Sequence, residues 1–511
     1  MAPGDVKRFD DMVNYHSPDR LKLRRVPIDT WRDHICFLHR DCAIYPAPDY
    51  LGPNKVDICH GTDAIRARVN ILDDEKVVGR SEIGLSHHAF EELGLPEGTE
   101  VMLERATPPD SLSVLRGKVA GIELGLDQMR DVIRDIVDYR YTEREIVAFL
   151  VAASKELTLS EIQSLTRARA EYAHHFTWPR DMIVDKHSMG GVPGSRISMI
   201  VIPIVAAHGL WIPKTSSRAI TSAAGTADAM ECVAEVDLAP EELHKVVESA
   251  GGCIAWNGRL SHSPIDDVMN SITRPLGIDS TKLAVTSILS KKVAAGSSHV
   301  VVDIPYGPGT KVAQFNEAQE LATLFEAVGS GVGLTVVAVP TDASRPIGRG
   351  IGPALEVRDV WSVLRNDPDA PSDLREKALD FAGIILNWDP LVGDGRARAP
   401  DLLKSGAALD RMEHIVNLQG RRKIPIGPGA LSCAVLATRS GQVTEIDCYR
   451  VAGIARQAGA PMDKGAGIDF FATVGAEITA GEPLYRVVCN VKTDMRLAIS
   501  AAERQCGIKI E

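Results

Sequence analysis

Asp185-Lys-His-Ser-Met-Gly-Gly-Val-Pro-Gly-Ser195 is the densest concentration of unusual residues in the chain, and its reading decides the fold. It follows the short β-branched run Ile183-Val184 and precedes an apolar run from Ile197 to Pro213. Glycines at 190, 191 and 194 permit positive φ and bring backbone N–H groups close to a ligand, while Lys186, Ser188 and Ser195 add donors. A strand, a Gly/Ser turn and then a helix is how proteins cradle phosphate. The segment is not a Walker loop, because GK[ST] is missing, and it is not GxGxxG. Taken alone it also fits a tight structural turn with a solvated lysine.

The same texture continues on either side. Val300-Val301-Val302 and Leu334 to Val339 are β-branched runs followed by Gly-, Ser- or Pro-rich turns and then helical stretches. Such alternation indicates an α/β domain with a mixed sheet and a ligand at the carboxyl ends of its strands. Pro240 followed by Glu241 and Glu242 opens one of its helices. The run Ile197 to Pro213 contains Ser198, Pro203 and His208 and falls short of the ~20 residues of a membrane span, so it reads as a buried core element.

Further out the period changes. Lys55 to Glu104 alternates short apolar runs with Gly and Asp turns, and a helix signal from Ser86 to Leu93 is closed by Gly94. Leu126, Met129, Ile133, Ile136 and Val137 recur at helical spacing, and Thr142 with Glu145 and Thr158 with Glu161 are capping boxes. Turn signals at Lys464 to Ile468 and Ala480 to Pro483 separate short C-terminal strands. The expected layout is a β-rich domain over 1–104, a small all-helical domain over 105–178 and 264–295, the α/β phosphate-binding domain over 179–263 and 296–420, and a β-rich α+β domain over 421–511.

Four more segments could carry chemistry. Thr215-Ser-Ser-Arg-Ala-Ile-Thr-Ser-Ala-Ala-Gly-Thr-Ala-Asp228 holds hydroxyls and small residues around one fixed cation, Arg218; a Ser/Thr-rich surface loop is the alternative. In Ile278 to Lys292, Asp279 stands where a helix would be capped, and Ser287 and Lys291 are i, i+4 partners; an N-cap aspartate with an exposed lysine reads equally well. Lys311, in Gly307-Pro-Gly-Thr-Lys311, is a cation at a strand end, and Pro346 to Pro353 is a further glycine-rich loop.

Composition bounds the function. With Lys+Arg 57 against Asp+Glu 68 the 511-residue chain carries a net charge of −11, which disfavours nucleic acid or an anionic membrane as partner. Its nine cysteines form no CxxC pair and no zinc-type spacing, so reduced thiols in a cytoplasm and no metal site are expected. An acidic protein that concentrates Lys and Arg in Gly/Ser loops handles a small molecule that carries or uses phosphate.

Asp185-Lys-His-Ser-x-Gly-Gly-Val, Ser217-Arg-Ala-Ile-Thr-Ser-x-Ala-Gly-Thr-Ala-Asp-x-x-Glu231, Thr286-Ser-Ile-Leu-Ser-Lys-Lys292 and Pro346-x-Gly-x-x-x-Gly-x-Ala-Leu-Glu356 resemble the thymidine/pyrimidine-nucleoside phosphorylase family. The match runs from about Leu112 to Glu511, and the β-rich N-terminus resembles the family's longer branch, typified by archaeal AMP phosphorylase. The resemblance implies phosphorolysis, in which inorganic phosphate displaces a base from C1′ of a pentose with no further cofactor and no metal, and a homodimer or larger homo-oligomer. By carry-over Lys186, Ser188, Ser198, Ser216 and Thr226 hold phosphate. Gly191, Ser217, Arg218, Ala219, Ile220, Thr221, Ser222, Thr226, Ser287, Lys291 and Lys311 contact the nucleotide, and Asp279 donates the proton. Segments near Thr177–Asp181 and Ser261–Pro264 are the expected hinges of domain closure. The shorter enzymes place an arginine ahead of the segment aligned with Asp279-Ser280; here Ile272 stands there, with Arg274 two residues away. Since Ile cannot hydrogen-bond a base edge, the reading leans to a nucleoside 5′-monophosphate or a non-thymidine nucleoside, with thymidine as the alternative. A catalytically silent nucleotide-binding relative and a phosphoribosyltransferase are the competing classes.

Overall fold

Val56, Ile58, Ile65, Ala67 and Val69 are buried at every second position of the strands Lys55–His60 and Asp63–Leu72, as the period of a strand with one core face requires. The computed structural model describes residues 20–30, 33–46, 55–219, 222–260, 264–273 and 275–511. They divide into two units, Met1–Glu156 with Asp267–Asp279, and Leu157–Asp266 with Ser280–Glu511.

In the first unit six strands close into a barrel in the order Leu21–Arg25, Glu82–Leu85, Ile35–His39, Asp63–Leu72, Lys55–His60, Glu100–Arg105. Closure leaves no unpaired strand edge. The helix His87–Leu93 ends at Gly94, whose φ of 68° lets its N–H return to the Phe90 carbonyl. Three helices follow, Leu112–Val119, Leu126–Val137 and Glu143–Lys155. The last begins in the expected box: the Thr142 N–H donates to Glu145 Oε2 at 2.7 Å and the Glu145 N–H to Thr142 Oγ1 at 3.4 Å. Ile272, at the close of the helix Pro264–Thr273, is buried.

The second unit is built on parallel strands. Val184–Ser188 and Thr335–Asp342 flank His299–Tyr306, Ile212–Ser216 pairs with Gly252–Trp256, and a parallel bridge from Ile183 to Trp211 links the two sets. Every one of these pairings is parallel, so the mixed sheet expected for this layer is not what forms; the connections are helical crossovers, which return each strand in the same direction. The apolar run becomes the helix Ser198–His208, buried along nearly its whole length, and then a strand. No described helix is long and apolar enough to cross a membrane. The helices Leu159–Glu171 and Thr281–Ala294 pack against one another here, so the residues expected to form one helical domain are shared between the two units. Strand Gly350–Ile351 joins Gly467–Phe470, Pro483–Cys489 and Leu431–Leu436 in a sheet covered by the helices Cys448–Gln457 and Lys492–Arg504. All nine cysteines are free thiols.

The box that opens Leu159–Glu171 pairs the Thr158 N–H with Glu161 Oε2 at 3.0 Å and the Glu161 N–H with Thr158 Oγ1 at 3.2 Å. Thr158→Ala is expected to lower unfolding free energy by about 1 kcal/mol, read from the urea midpoint of the transition of the second unit.

Candidate active site at the carboxyl edge of the parallel strands

Parallel register brings the strand ends to one edge. Ser188 lies opposite Asp303, and Ser216 opposite Trp256. Between Ser188 and the helix Ser198–His208 the chain turns through Gly190, Gly191 and Gly194 at φ 80°, 98° and 78°. A Cβ on Gly194 would lie 2.1 Å from the Ile347 carbonyl oxygen, and one on Gly191 would lie 3.3 Å from Thr310 Cα. Close approach as well as positive φ therefore demands glycine, and it seats the turn against the one that carries Lys311.

Four buried carboxylates organise the cations of this edge. Asp303, fully buried on its strand, accepts from Ser188 Oγ at 2.9 Å and Thr341 Oγ1 at 2.6 Å, and lies 3.1 Å from Lys377 Nζ and 3.9 Å from Lys186 Nζ. Burial works against its ionisation, but the two ammonium groups and the Thr341 hydroxyl outweigh that and hold it below the usual carboxylate range. Burial pushes Lys186 down to about 7, against the pull of Asp303. Asp185 pairs with Lys292 Nζ at 2.6 Å and accepts the Lys186 N–H at 2.6 Å. Burial, and after it the neighbouring Lys292 charge, push Lys214, 3.9 Å from Asp185, well below the usual lysine range. Burial and this surrounding positive charge also push His187 well below the usual imidazole range.

The third carboxylate shapes the hydroxyl-rich loop. Asp228 Oδ2 accepts the Ala219 N–H at 2.6 Å and the Gly225 N–H at 3.0 Å, while its Oδ1 meets Lys464 Nζ at 2.7 Å. Gly225 admits no side chain, since a Cβ would lie 2.7 Å from the Ala219 nitrogen. Arg218 forks onto Glu231, with one contact at 2.8 Å, and lies 4.7 Å from the Trp256 ring centre. Arg218, against burial and with help from Lys464, holds Glu231 at about 2. The fourth carboxylate, Asp266, meets Arg169, Lys291 Nζ at 2.8 Å and Ser287 Oγ at 3.4 Å. Despite burial, those cations depress it strongly. Lys291 Nζ also donates to Ser287 Oγ at 3.3 Å, so the i, i+4 pair exists. Arg169, Asp266 and Lys291 line a cleft that Thr215, next to Ser216, also borders.

Lys186 and Ser188 thus meet around Asp303, and Ser287 with Lys291 around Asp266. Thr226 opens the short helix Thr226–Met230 and accepts from Arg196 Nη1 at 3.2 Å; Arg196 itself pairs with buried Glu356. Ser198 is buried at the first turn of its helix, Ser216 ends its strand, and the Ser222 hydroxyl donates to the Ala224 carbonyl. Ser217 and Arg218 begin the loop that Asp228 ties down, Ala219 among it, and Lys311 is exposed on its turn. Ile220, Thr221, Arg274 and the expected hinge residues 261–263 lie outside the described residues.

Two expectations need correction. Asp279 does not cap the helix Thr281–Ala294; Ser280 does, accepting the Leu283 N–H at 3.4 Å, and Asp279 is exposed one residue earlier, at the end of the first unit. The glycine-rich loop at Pro346 to Pro353 does not offer its amides to a ligand: Asp359 takes those of Arg349 and Gly350 at 2.7 Å each, and Glu356 that of Gly352 at 3.0 Å. Sequence reasoning missed Asp303, Lys377, Asp266, Arg169 and Lys464 as site groups. Asp228 and Glu231 stood in a quoted motif, where an i, i+3 acid pair after a glycine N-cap was the available signal.

Comparison with known proteins agrees with this geometry. Residues 180–409 match the model of the glycosyl transferase family, a/b domain, and residues 442–509 that of the pyrimidine nucleoside phosphorylase C-terminal domain. A protein of Methylococcus capsulatus named "Putative thymidine phosphorylase" is 47% identical over 96% of this chain and 96% of its own length. The chain belongs to the thymidine/pyrimidine nucleoside phosphorylase family. As a member it is a glycosyltransferase-class enzyme, which sets aside the silent relative. It is also 56% identical to a protein of Azorhizobium caulinodans named "Bifunctional ribose 1,5-bisphosphokinase-thymidine phosphorylase", over 94% of this chain and 70% of that protein. The crystal structure of anthranilate phosphoribosyltransferase from Thermus thermophilus shares the fold, with a TM-score of 0.51 at 19% identity over 60% of this chain and 98% of that one.

Asp228→Asn takes the charge from a nearly fully buried carboxylate and leaves Lys464 and two amides short of an acceptor. It is expected to destabilise the family member by about 3 kcal/mol. Amide hydrogen exchange is expected to speed up in residues 217–225 while the strand Val184–Ser188 keeps its protection.

Proposed function

We propose that the protein catalyses phosphorolysis of a nucleoside 5′-monophosphate, releasing the free base and a pentose 1-phosphate that keeps its 5′-phosphate. A phosphate oxygen bonds to C1′ as the C1′–N bond breaks. The electron pair of that bond passes to the base nitrogen, which takes up, by way of Asp279, the proton that the attacking hydrogen phosphate gives up. Positive charge develops on the sugar ring during the exchange, so the phosphate must be held in line with the departing base. In this reading Lys186, Ser188, Ser198, Ser216 and Thr226 hold phosphate. Gly191, the Ser217–Ser222 loop, Ser287, Lys291 and Lys311 hold the nucleotide.

The observation that supports the reading is two cationic features of one strand edge, to each of which we assign an anion. One is the Lys186–Lys377 pair of ammonium groups; the other is where the turn bearing Lys311 packs on Gly191. Phosphate and a nucleoside need only the first, whereas phosphate and a nucleotide need both. Buried Ile272 supports it, because an apolar core side chain gives no donor to a base carbonyl. The name of the Azorhizobium relative points the same way. Phosphorolysis of a ribonucleoside 5′-monophosphate makes ribose 1,5-bisphosphate, the compound that relative's kinase half is named for; thymidine would give 2-deoxyribose 1-phosphate. The thymidine phosphorylase names of the relatives favour the second reading, thymidine and phosphate to thymine and that sugar phosphate.

A panel of AMP, CMP, UMP, thymidine, uridine and guanosine, each with inorganic phosphate and scored for released base, separates the two. Base is expected from a 5′-monophosphate, and release from thymidine alone would establish the second reading instead. Lys186→Ala and Asp279→Asn are each expected to cut turnover at least ~100-fold with the circular dichroism spectrum unchanged. Lys186 is charged below about pH 7 and neutral above it, and phosphate needs the charged form. Phosphate affinity is therefore expected to weaken as pH rises from 7 to 9, about tenfold per pH unit. In Lys186→Ala that slope should vanish, as phosphate titrations at several pH values will show.

A further inference from the structure

The barrel of the first unit carries a group of side chains that phosphorolysis does not use. His34, just ahead of the strand Ile35–His39, has a ring only 4% exposed. Its Nδ1 lies 3.2 Å from the Arg66 carbonyl oxygen and its Nε2 3.0 Å from Glu92 Oε2. Both ring nitrogens thus face oxygens that only accept, yet a neutral imidazole has a single N–H. With that N–H given to the carbonyl, Nε2 turns a lone pair toward a carboxylate. Either the N–H goes to Glu92 and the Arg66 carbonyl faces a lone pair, or a second ring proton or a metal ion sits between Nε2 and the carboxylate.

The neighbours favour the ion. His88 and Glu92 stand one turn apart on the helix His87–Leu93, with His88 Nε2 3.6 Å from the same Glu92 oxygen. The three ligand atoms lie within 4.8 Å of one another. Zinc held tetrahedrally at about 2.0–2.1 Å from nitrogen and oxygen separates adjacent ligand atoms by roughly 3.3 Å, and separations of 3.0 and 3.6 Å straddle that value. The bond from Nδ1 to a backbone carbonyl is the outer contact that fixes a metal-binding histidine, and the Tyr139 ring packs on His34 with centroids 4.4 Å apart. His88 and Glu92 are part-exposed, which gives a cation access and leaves room for water as fourth ligand.

We propose that His34 Nε2, His88 Nε2 and the Glu92 carboxylate bind one divalent transition-metal cation, zinc by the character of the donors. Two imidazoles and one carboxylate suit zinc and its neighbours better than the oxygen-seeking Mg²⁺ or Ca²⁺. The ion ties the segment entering Ile35–His39 to the helix His87–Leu93, so its effect is on the stability of the barrel. No sequence spacing announces it, because His34 and Glu92 are 58 residues apart.

The test uses the full-length chain, stripped with a chelator and equilibrated with Zn²⁺. One zinc per chain is expected, with X-ray absorption showing nitrogen and oxygen at about 2.0–2.1 Å and no sulfur at about 2.3 Å, which excludes capture by the free thiols. Zinc should also raise the melting temperature of the first unit. His88→Ala and Glu92→Gln, both at part-exposed positions, are expected to weaken zinc binding at least tenfold and to abolish that rise, with their melting in chelator close to that of the parent chain. Equal zinc affinity in the parent and both variants, a sulfur-bound zinc, or no zinc retained at micromolar free metal would overturn the proposal and leave His34 with its contact to Glu92 alone.

Discussion

A cation taken out of water must meet a carboxylate or give up its proton, and the strand edge of the second unit is arranged around that requirement. Lys292 meets Asp185, Lys377 meets Asp303, Arg169 and Lys291 share Asp266, and Lys464 and Arg218 share Asp228 and Glu231. Where the pairing is poor the proton is held less tightly: Lys214 and Lys186, each 3.9 Å from its carboxylate, are lysines of this edge that burial drives down. Removing one partner of a buried pair costs about 3–5 kcal/mol, a large part of a domain's whole stability of about 5–15 kcal/mol. The acids are therefore as tightly specified as the bases they hold. An overall charge of −11 and a cationic site belong to one design, since each buried base brings its acid with it.

Glycine has a second, steric role in the same place. Gly191, Gly194 and Gly225 lie where three turns come within van der Waals distance of other backbone, and Gly225 also donates its N–H to Asp228. Any side chain there would push apart the turns that hold Ser188, Thr310 and Ala219. The small residues of the motifs are thus explained by packing as much as by room for a ligand. The loop at Pro346 to Pro353 makes the point in reverse, for its glycines are needed although its amides are spent on Asp359 and Glu356.

What the sequence revealed and what it hid divide along the range of the interaction. Local rules worked. The Thr142 and Thr158 boxes, the Gly94 stop, the Pro240 start and the buried helix after Ser195 are all set by residues within a few positions of each other. The Ser287–Lys291 pair was visible for the same reason. Asp303 and Lys377 were not, because they reach Lys186 and Ser188 from other strands and helices, and no period in the chain records a contact across 115 residues. Asp279 was misplaced by one position because Asp and Ser are nearly equal as caps, and only the backbone of Ser280 shows which was used. Parallel against mixed pairing was likewise beyond local pattern, since register and direction are decided between strands.

The balance at Lys186 has a consequence for how such a site fills. In the proposed phosphate site Asp303 lies ionised between Lys377 and Lys186, with the Lys186 proton half-bound near neutrality. An anion arriving there adds negative charge in a place of low polarisability, which raises the proton affinity of the lysine. Anion binding and proton uptake are then one coupled event, and by reciprocity each strengthens the other to the same degree. In the proposed reading the carboxylate that pairs with the two lysines also keeps the site short of positive charge until phosphate and a proton arrive together. A lysine fully charged at rest would hold Asp303 more tightly and would have to be pulled from it; a lysine poised at half-charge has less to give up.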